Sequence, residues 1–136
     1  MTSFVDTNIF IRLLTQDDAE KSAACLALFK RAESSAISLS TSESVIAEVV
    51  YVLSSPALYR ISRPELVAAL SPVIASRGLE IEHKASILRA LERFAVTRFD
   101  FEDCLSVEHV KRKQLDGLYS YDRDFDRMPE VQRLEP

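Results

Sequence analysis

The sequence predicts an α/β fold, a single domain over residues 1–136 built as a three-layer α/β/α sandwich with a mainly parallel sheet. Length sets the first bound: 136 residues, 47% of them hydrophobic, suit one domain with a real apolar core. The second observation is alternation, since short apolar runs take turns with longer stretches at helical spacing. That pattern places helices as crossovers between parallel strands. The third is punctuation: Ser, Asp, Pro and Gly fall where helices should begin and end.

Phe4-Val5 is a short strand that ends at Asp6-Thr7-Asn8, a polar strand-to-helix turn. Ile9 to Leu14 reads as a short helix. Asp17 or Asp18 caps a second one running to about Glu33, with Ala24, Leu28 and Ala32 at helical spacing. Ala36 to Leu39 is the next strand, and Ser40-Thr41-Ser42 caps the helix Glu43 to Leu53. That helix is apolar nearly all round, so deep packing is expected. Ser54-Ser55-Pro56 breaks the chain. Arg63-Pro64-Glu65 opens a helix to about Ser76, with Pro64 suited to the first turn and Pro72 placed to kink or divide it. Gly78 stops it, and Leu79 to Glu82 alternates as a brief strand. Helices follow over Lys84–Ala95 and, capped by Asp100, over Phe101–Lys113. Gly117 releases the chain into a strand over Leu118–Tyr121, then a single turn at Asp124–Met128 and an edge strand at Val131–Leu134.

Several function classes are set aside by what the residues lack. The N-terminus has no basic start followed by a long apolar stretch, and no apolar run approaches a membrane span, so a soluble, cytoplasmic protein is expected. Cys25 and Cys104 form no CxxC pair and read as small buried hydrophobes, while His83 and His109 make no zinc spacing with them. Any metal must therefore be a hard cation held by oxygens. The net charge of −4 is no veto on a nucleic-acid substrate. If Asp6, Glu48, Asp103, Asp122 and Asp124 share one metal site, the rest of the chain is slightly positive.

In a parallel α/β sheet, sites form beyond the carboxyl ends of the strands, where Asp6 and Asp122 both fall. Carboxylates converging there would hold Mg²⁺ or Mn²⁺ with room left for a phosphate. Each acid also has a plainer reading. Asp6 serves equally as a helix cap. Glu48 lies in Val45–Leu53, where a solvated position is hard to find; buried there it needs a metal or an arginine. Asp103, three residues after Asp100, can complete a capping arrangement. Asp122 and Asp124 sit in a polar turn where acids are common.

Taken together, four segments resemble the PIN-domain family, in particular toxins of the VapC type. Val5–Leu14 is similar to the opening motif, Ala47–Leu53 to the second, Phe101–Leu105 to the third, and Leu118–Asp126 to the fourth. The resemblance covers nearly the whole chain, with order and spacing in agreement. It implies a PIN-like fold and a metal-dependent endoribonuclease acting on RNA, restrained by a cognate antitoxin and commonly a homodimer. Residue by residue it assigns the motif acids to Asp6, Glu48, Asp103 and Asp122, with Asp124 as a less uniform fifth acid. Ser120 stands where threonine is frequent, and its hydroxyl is placed to orient Asp122 or a water. Asn8 and Arg12 are supporting candidates.

Three rivals compete with this reading. A phosphotransfer receiver needs an acceptor aspartate after a central strand and a lysine after the last one, and leaves Glu48 without a role. A haloacid-dehalogenase-type phosphatase needs a second aspartate where Asn8 stands. A non-catalytic α/β binding module would use its acids only as caps. Lys111-Arg112-Lys113 reads as a solvated helix end that suits the dipole, with RNA contact as the alternative. Arg12 reaches phosphate or pairs with an acid. Tyr51, Tyr59, Tyr119 and Tyr121 are expected in core or interface packing rather than stacked on bases, and both histidines have no partner pattern.

Overall fold

A computed structural model describes all 136 residues, and the chain divides into two units, residues 1–84 and 85–136. In the first unit β1 (Thr2–Phe4), β2 (Ser38–Ser40) and β3 (Leu79–Glu80) form a three-stranded parallel sheet in that order. Its register pairs Ser3 with Leu39 and Leu39 with Leu79. Leu39 and Leu79 are buried, as the branched apolar residues of a parallel strand should be. Two helices, α1 (Thr7–Leu14) and α2 (Ala19–Glu33), carry the chain from β1 to β2. Two more, α3 (Glu43–Ser54) and α4 (Arg63–Ala75), carry it from β2 to β3.

Local chemistry explains the helix starts. The side chain of Asp18 accepts from Lys21 N–H at 3.0 Å, Ser42 from Val45 N–H at 3.3 Å, and Ser62 from Glu65 N–H at 3.4 Å. Pro64 follows Ser62 in the first turn of α4, where a missing N–H costs nothing. The expected division at Pro72 does not occur: α4 runs unbroken to Ala75 with Pro72 on its exposed side, close enough to the end that few hydrogen bonds are lost. Gly78 is required by contact, because a Cβ there would lie 2.5 Å from the backbone carbon of Ala32.

The expectation for α3 needs correction. Val45, Ile46, Val49, Val50 and Leu53 are buried, but Ser44, Glu48 and Tyr51 form an exposed stripe at the i, i+4, i+7 spacing. The helix is amphipathic, and Glu48 lies on its solvated face rather than in an apolar interior.

The second unit holds most of α5 (Lys84–Val96), α6 (Phe101–Lys113), β4 (Leu118–Tyr119), a 3₁₀ turn (Arg123–Arg127) and β5 (Arg133–Leu134). β4 and β5 pair in parallel, Leu118 with Arg133 and Tyr119 with Leu134. Val107, Phe125 and Met128 form a small core here, joined by Phe99, Leu118 and Val131. Helix α6 ends at Gln114 in the left-handed region, whose N–H reaches Lys111 O and Val110 O.

One charged residue is buried in this unit. Glu108 is 1% exposed, and its carboxylate meets Arg89 at 2.7 Å, Lys111 at 3.2 Å and Arg93 at 3.6 Å. Burial pushes its carboxyl upward. The hydrogen bonds and charges of Arg89 and Lys111 outweigh that and hold it below its ordinary value.

Candidate metal centre

Asp103, Asp122 and Asp124 come together in the second unit, with one carboxylate oxygen from each lying within 4.8 Å of the others. Asp103 is placed by the first turn of α6, and the other two by the turn after β4. That turn is tightly specified. The Ser120 hydroxyl accepts the Asp122 N–H at 3.0 Å, and Asp122 Oδ1 accepts the Asp124 N–H at 2.9 Å. These two bonds end β4 at Tyr119, two residues earlier than the apolar pattern suggests.

The capping arrangement with Asp100 is not formed, since the side chain of Asp100 makes no cap hydrogen bond, although Asp103 keeps a place in the first turn of α6 where its charge suits the dipole. Half-buried Asp103 has its carboxyl raised above the ordinary value. Burial is the main cause, followed by the negative charges of Asp122, Asp100, Asp124 and Glu102. Of the nearby cations, Arg133 is engaged by Asp126 at 2.8 Å, while Arg123, 80% exposed, makes only a loose 4.0 Å pair with the same carboxylate. Three hard oxygen donors crowded together without a neutralising side chain are a donor set that fits a divalent cation of the Mg²⁺ or Mn²⁺ kind.

The other two motif acids belong to the first unit. Asp6 is exposed and takes the N-cap position of α1 with extended backbone, but its side chain makes no cap bond. Glu48, exposed on α3, accepts a hydrogen bond from the Thr7 hydroxyl at 2.9 Å. No arginine or lysine pairs with it, so the ion-pair alternative fails along with the burial that motivated it. Thr7 was not singled out by sequence, although its place directly after Asp6 is the available signal.

The supporting candidates divide. Asn8 is exposed, while Arg12 donates to Asp17 at 3.0 Å, the acid-pairing alternative. Asp17 also takes the Thr15 and Tyr59 hydroxyls, which together with Arg12 bring its carboxyl down to about 2 despite the opposing effect of burial. This meeting point of two loops was not legible in the sequence. Tyr51, Tyr119 and Tyr121 are all exposed in the single chain, so none of them packs in its core. The basic run at the end of α6 is only partly solvated: Lys111 serves Glu108, and Arg112 reaches Ser86 and His109.

No helix is long and apolar enough to cross a membrane. No curated protein matches the sequence significantly. Similar solved structures include VapC20 of Mycobacterium tuberculosis, a toxin that cleaves the sarcin–ricin loop. It is 23% identical over 93% of this chain and 94% of that one, with a TM-score of 0.38. Another is VapBC2 from Rickettsia felis bound to a DNA fragment from their promoter. Here the identity is 18% over 99% of this chain and 98% of the other, again with a TM-score of 0.38. The PIN domain family matches residues 3–131, and on that match the chain belongs to the PIN domain family.

Proposed function

We propose that the protein is a metal-dependent endoribonuclease of the VapC type, acting as one functional domain over residues 1–136. The observation that carries the reading is the uncompensated meeting of Asp103, Asp122 and Asp124 in a chain of this family. These three carboxylates would hold Mg²⁺ or Mn²⁺, and the motifs assign the same duty to Asp6 and Glu48. When bound, such a cation supplies Lewis acidity toward a phosphodiester and a water acidic enough to attack it at neutral pH.

What the side chains themselves do follows from their contacts. Ser120 and the Asp124 N–H fix the turn so that Asp122 and Asp124 present oxygens without rearrangement. Asp103, with its raised carboxyl, gains most from a cation because its ionised form is otherwise opposed by burial and by like charge. Thr7 ties up one oxygen of Glu48 and limits the directions in which the other can point. No side chain is required to attack covalently.

The substrate is RNA, the protein acts in the cytoplasm as a homodimer, and a cognate antitoxin silences it. The antitoxin presents a basic side chain to the acidic cluster, since that much negative charge favours a guanidinium. The test is digestion of total RNA with Mg²⁺ or Mn²⁺, with chelator, and with Asp122→Asn. Cleavage confined to the metal-supplemented wild type is expected. Equal cleavage by Asp122→Asn, or none by wild type with either metal, would sink the reading.

A further inference from the structure

Helices α1 and α2 leave an open cleft of about 410 Å³ between Asn8, Ile9 and Arg12 on one side and Lys21, Ala24 and Cys25 on the other. Asn8 and Arg12 are four residues apart on α1, as are Lys21 and Cys25 on α2, so each set occupies one helical face. The cleft combines two cations, an apolar floor of Ile9, Ala24 and Cys25, and one amide. It opens two residues after Asp6. We infer that this cleft is a nucleotide subsite of the RNA substrate. Arg12 and Lys21 take the backbone phosphates, and the base lies on the apolar floor with its edge toward Asn8. The inference rests on the nuclease reading above and names where one nucleotide of the substrate strand is held.

The ion pairs in the cleft favour this use. Asp17 collects three donors, Arg12, Thr15 and Tyr59, so its charge is shared while Arg12 gives it a single nitrogen. The pair therefore aims the guanidinium, and its remaining N–H groups are available for the planar two-point recognition of a phosphate. Lys21 stands 3.9 Å from Asp18, and that carboxylate is already engaged as the N-cap of α2 through the Lys21 N–H. The lysine side chain is 66% exposed and can swing to a phosphate at small cost. The volume lies within the range of small-ligand clefts, and a charged rim over an apolar floor matches a nucleotide's own division between phosphate and base.

The test is steady-state cleavage of a single-stranded RNA by wild type, Lys21→Met and the double variant Arg12→Met/Lys21→Met across a salt series. Each phosphate contact on single-stranded nucleic acid contributes about 0.7 to the slope of log affinity against log salt. Lys21→Met should flatten the slope by about 0.7 and the double variant by about 1.4. At 0.15 M salt this corresponds to roughly fourfold and more than tenfold rises in KM. Arg12→Lys, which keeps the charge, should restore most of the slope. An unchanged slope and KM in a wild type that cleaves would overturn the subsite and leave the nuclease reading standing. A fall confined to kcat would overturn it equally. Should the double variant fail to fold, Lys21→Met decides alone, because its side chain supports no other contact than the loose one with Asp18. A wild type that cleaves no RNA in metal would refute the nuclease reading instead.

Discussion

Replacing Asp122 by asparagine should stabilise the metal-free protein, the reverse of the usual effect of mutating a turn residue. Asparagine keeps the oxygen that accepts the Asp124 N–H, so the turn survives. What disappears is the repulsion of Asp122 against Asp103 and Asp124. At the 4.8 Å limit of their separation, two unit charges repel by about 0.9 kcal/mol in bulk water. Two relieved pairs give about 2 kcal/mol at low ionic strength, and screening at physiological salt halves that. For a chain of this length the gain is a rise in melting temperature of about 3–7 °C. Metal should separate the two proteins in the other direction, by stabilising wild type far more than the variant. Wild type at a hundredfold excess of cation over its dissociation constant gains about 2.7 kcal/mol by mass action, while Asp122→Asn gains little. The assay is thermal melting in low-salt buffer with chelator and through an Mg²⁺ and an Mn²⁺ titration. The pH dependence follows from the raised carboxyl of Asp103. A carboxyl whose folded pKa exceeds its unfolded one makes the metal-free protein lose stability as pH rises from the ordinary aspartate range through the raised value. An Asp122→Asn protein that melts below metal-free wild type, with a wild type indifferent to both metals, would refute this account of the cluster.

Three further outcomes are expected. Glu108→Gln leaves Arg89, Arg93 and Lys111 without their shared buried carboxylate; the cost should be about 3 kcal/mol, the low end for a broken buried pair, because Arg93 retains Glu130 at 2.6 Å. Calorimetry should show a melting drop of about 10 °C, and a change under 2 °C would contradict the network. Asp17 should titrate near pH 2 by NMR, and because its folded pKa is depressed, the stability it contributes is present above about pH 4 and lost as pH falls toward 2. A midpoint at the ordinary aspartate value would show that Tyr59 and Thr15 do not engage it in solution. Glu48→Gln should lower RNA cleavage at least a hundredfold with the melting temperature nearly kept, since Glu48 is exposed and a glutamine oxygen still accepts from Thr7. Cleavage near the wild-type rate would remove Glu48 from the chemistry.

Much of the element order is legible because it depends on local chemistry. Asp18, Ser42 and Pro64 mark helix starts through bonds made within one turn, and Gly78 marks a stop. The strand after Gly117 proves shorter than its apolar pattern, because the Ser120 hydroxyl competes for a backbone N–H that the strand would have used. The character of Glu48 is misread for a related reason. Its neighbours in sequence are apolar, but its neighbours on the helix surface are Ser44 and Tyr51, and a tyrosine at that position does not declare whether it faces water. Cap and ligand cannot be told apart by residue type at Asp6 or Asp103; the structure adds that neither Asp6 nor Asp100 makes a side-chain cap bond. Glu108 and Asp17 escape notice because their partners come from other helices and loops. The i, i+3 spacing of Glu108 and Lys111 is visible, whereas the reach of Arg89 and Arg93 from α5 is not.

The engagement of Arg133 by Asp126 has a kinetic consequence for a nuclease. With that guanidinium held there, the three carboxylates present a local negative potential that draws dications in and turns polyanions away. RNA approaching the bare cluster would meet repulsion at the place where its phosphate should rest; a bound dication would cut that formal charge from three negatives to one. On the proposed nuclease reading, the association rate for RNA should rise with free Mg²⁺ until the cluster is filled.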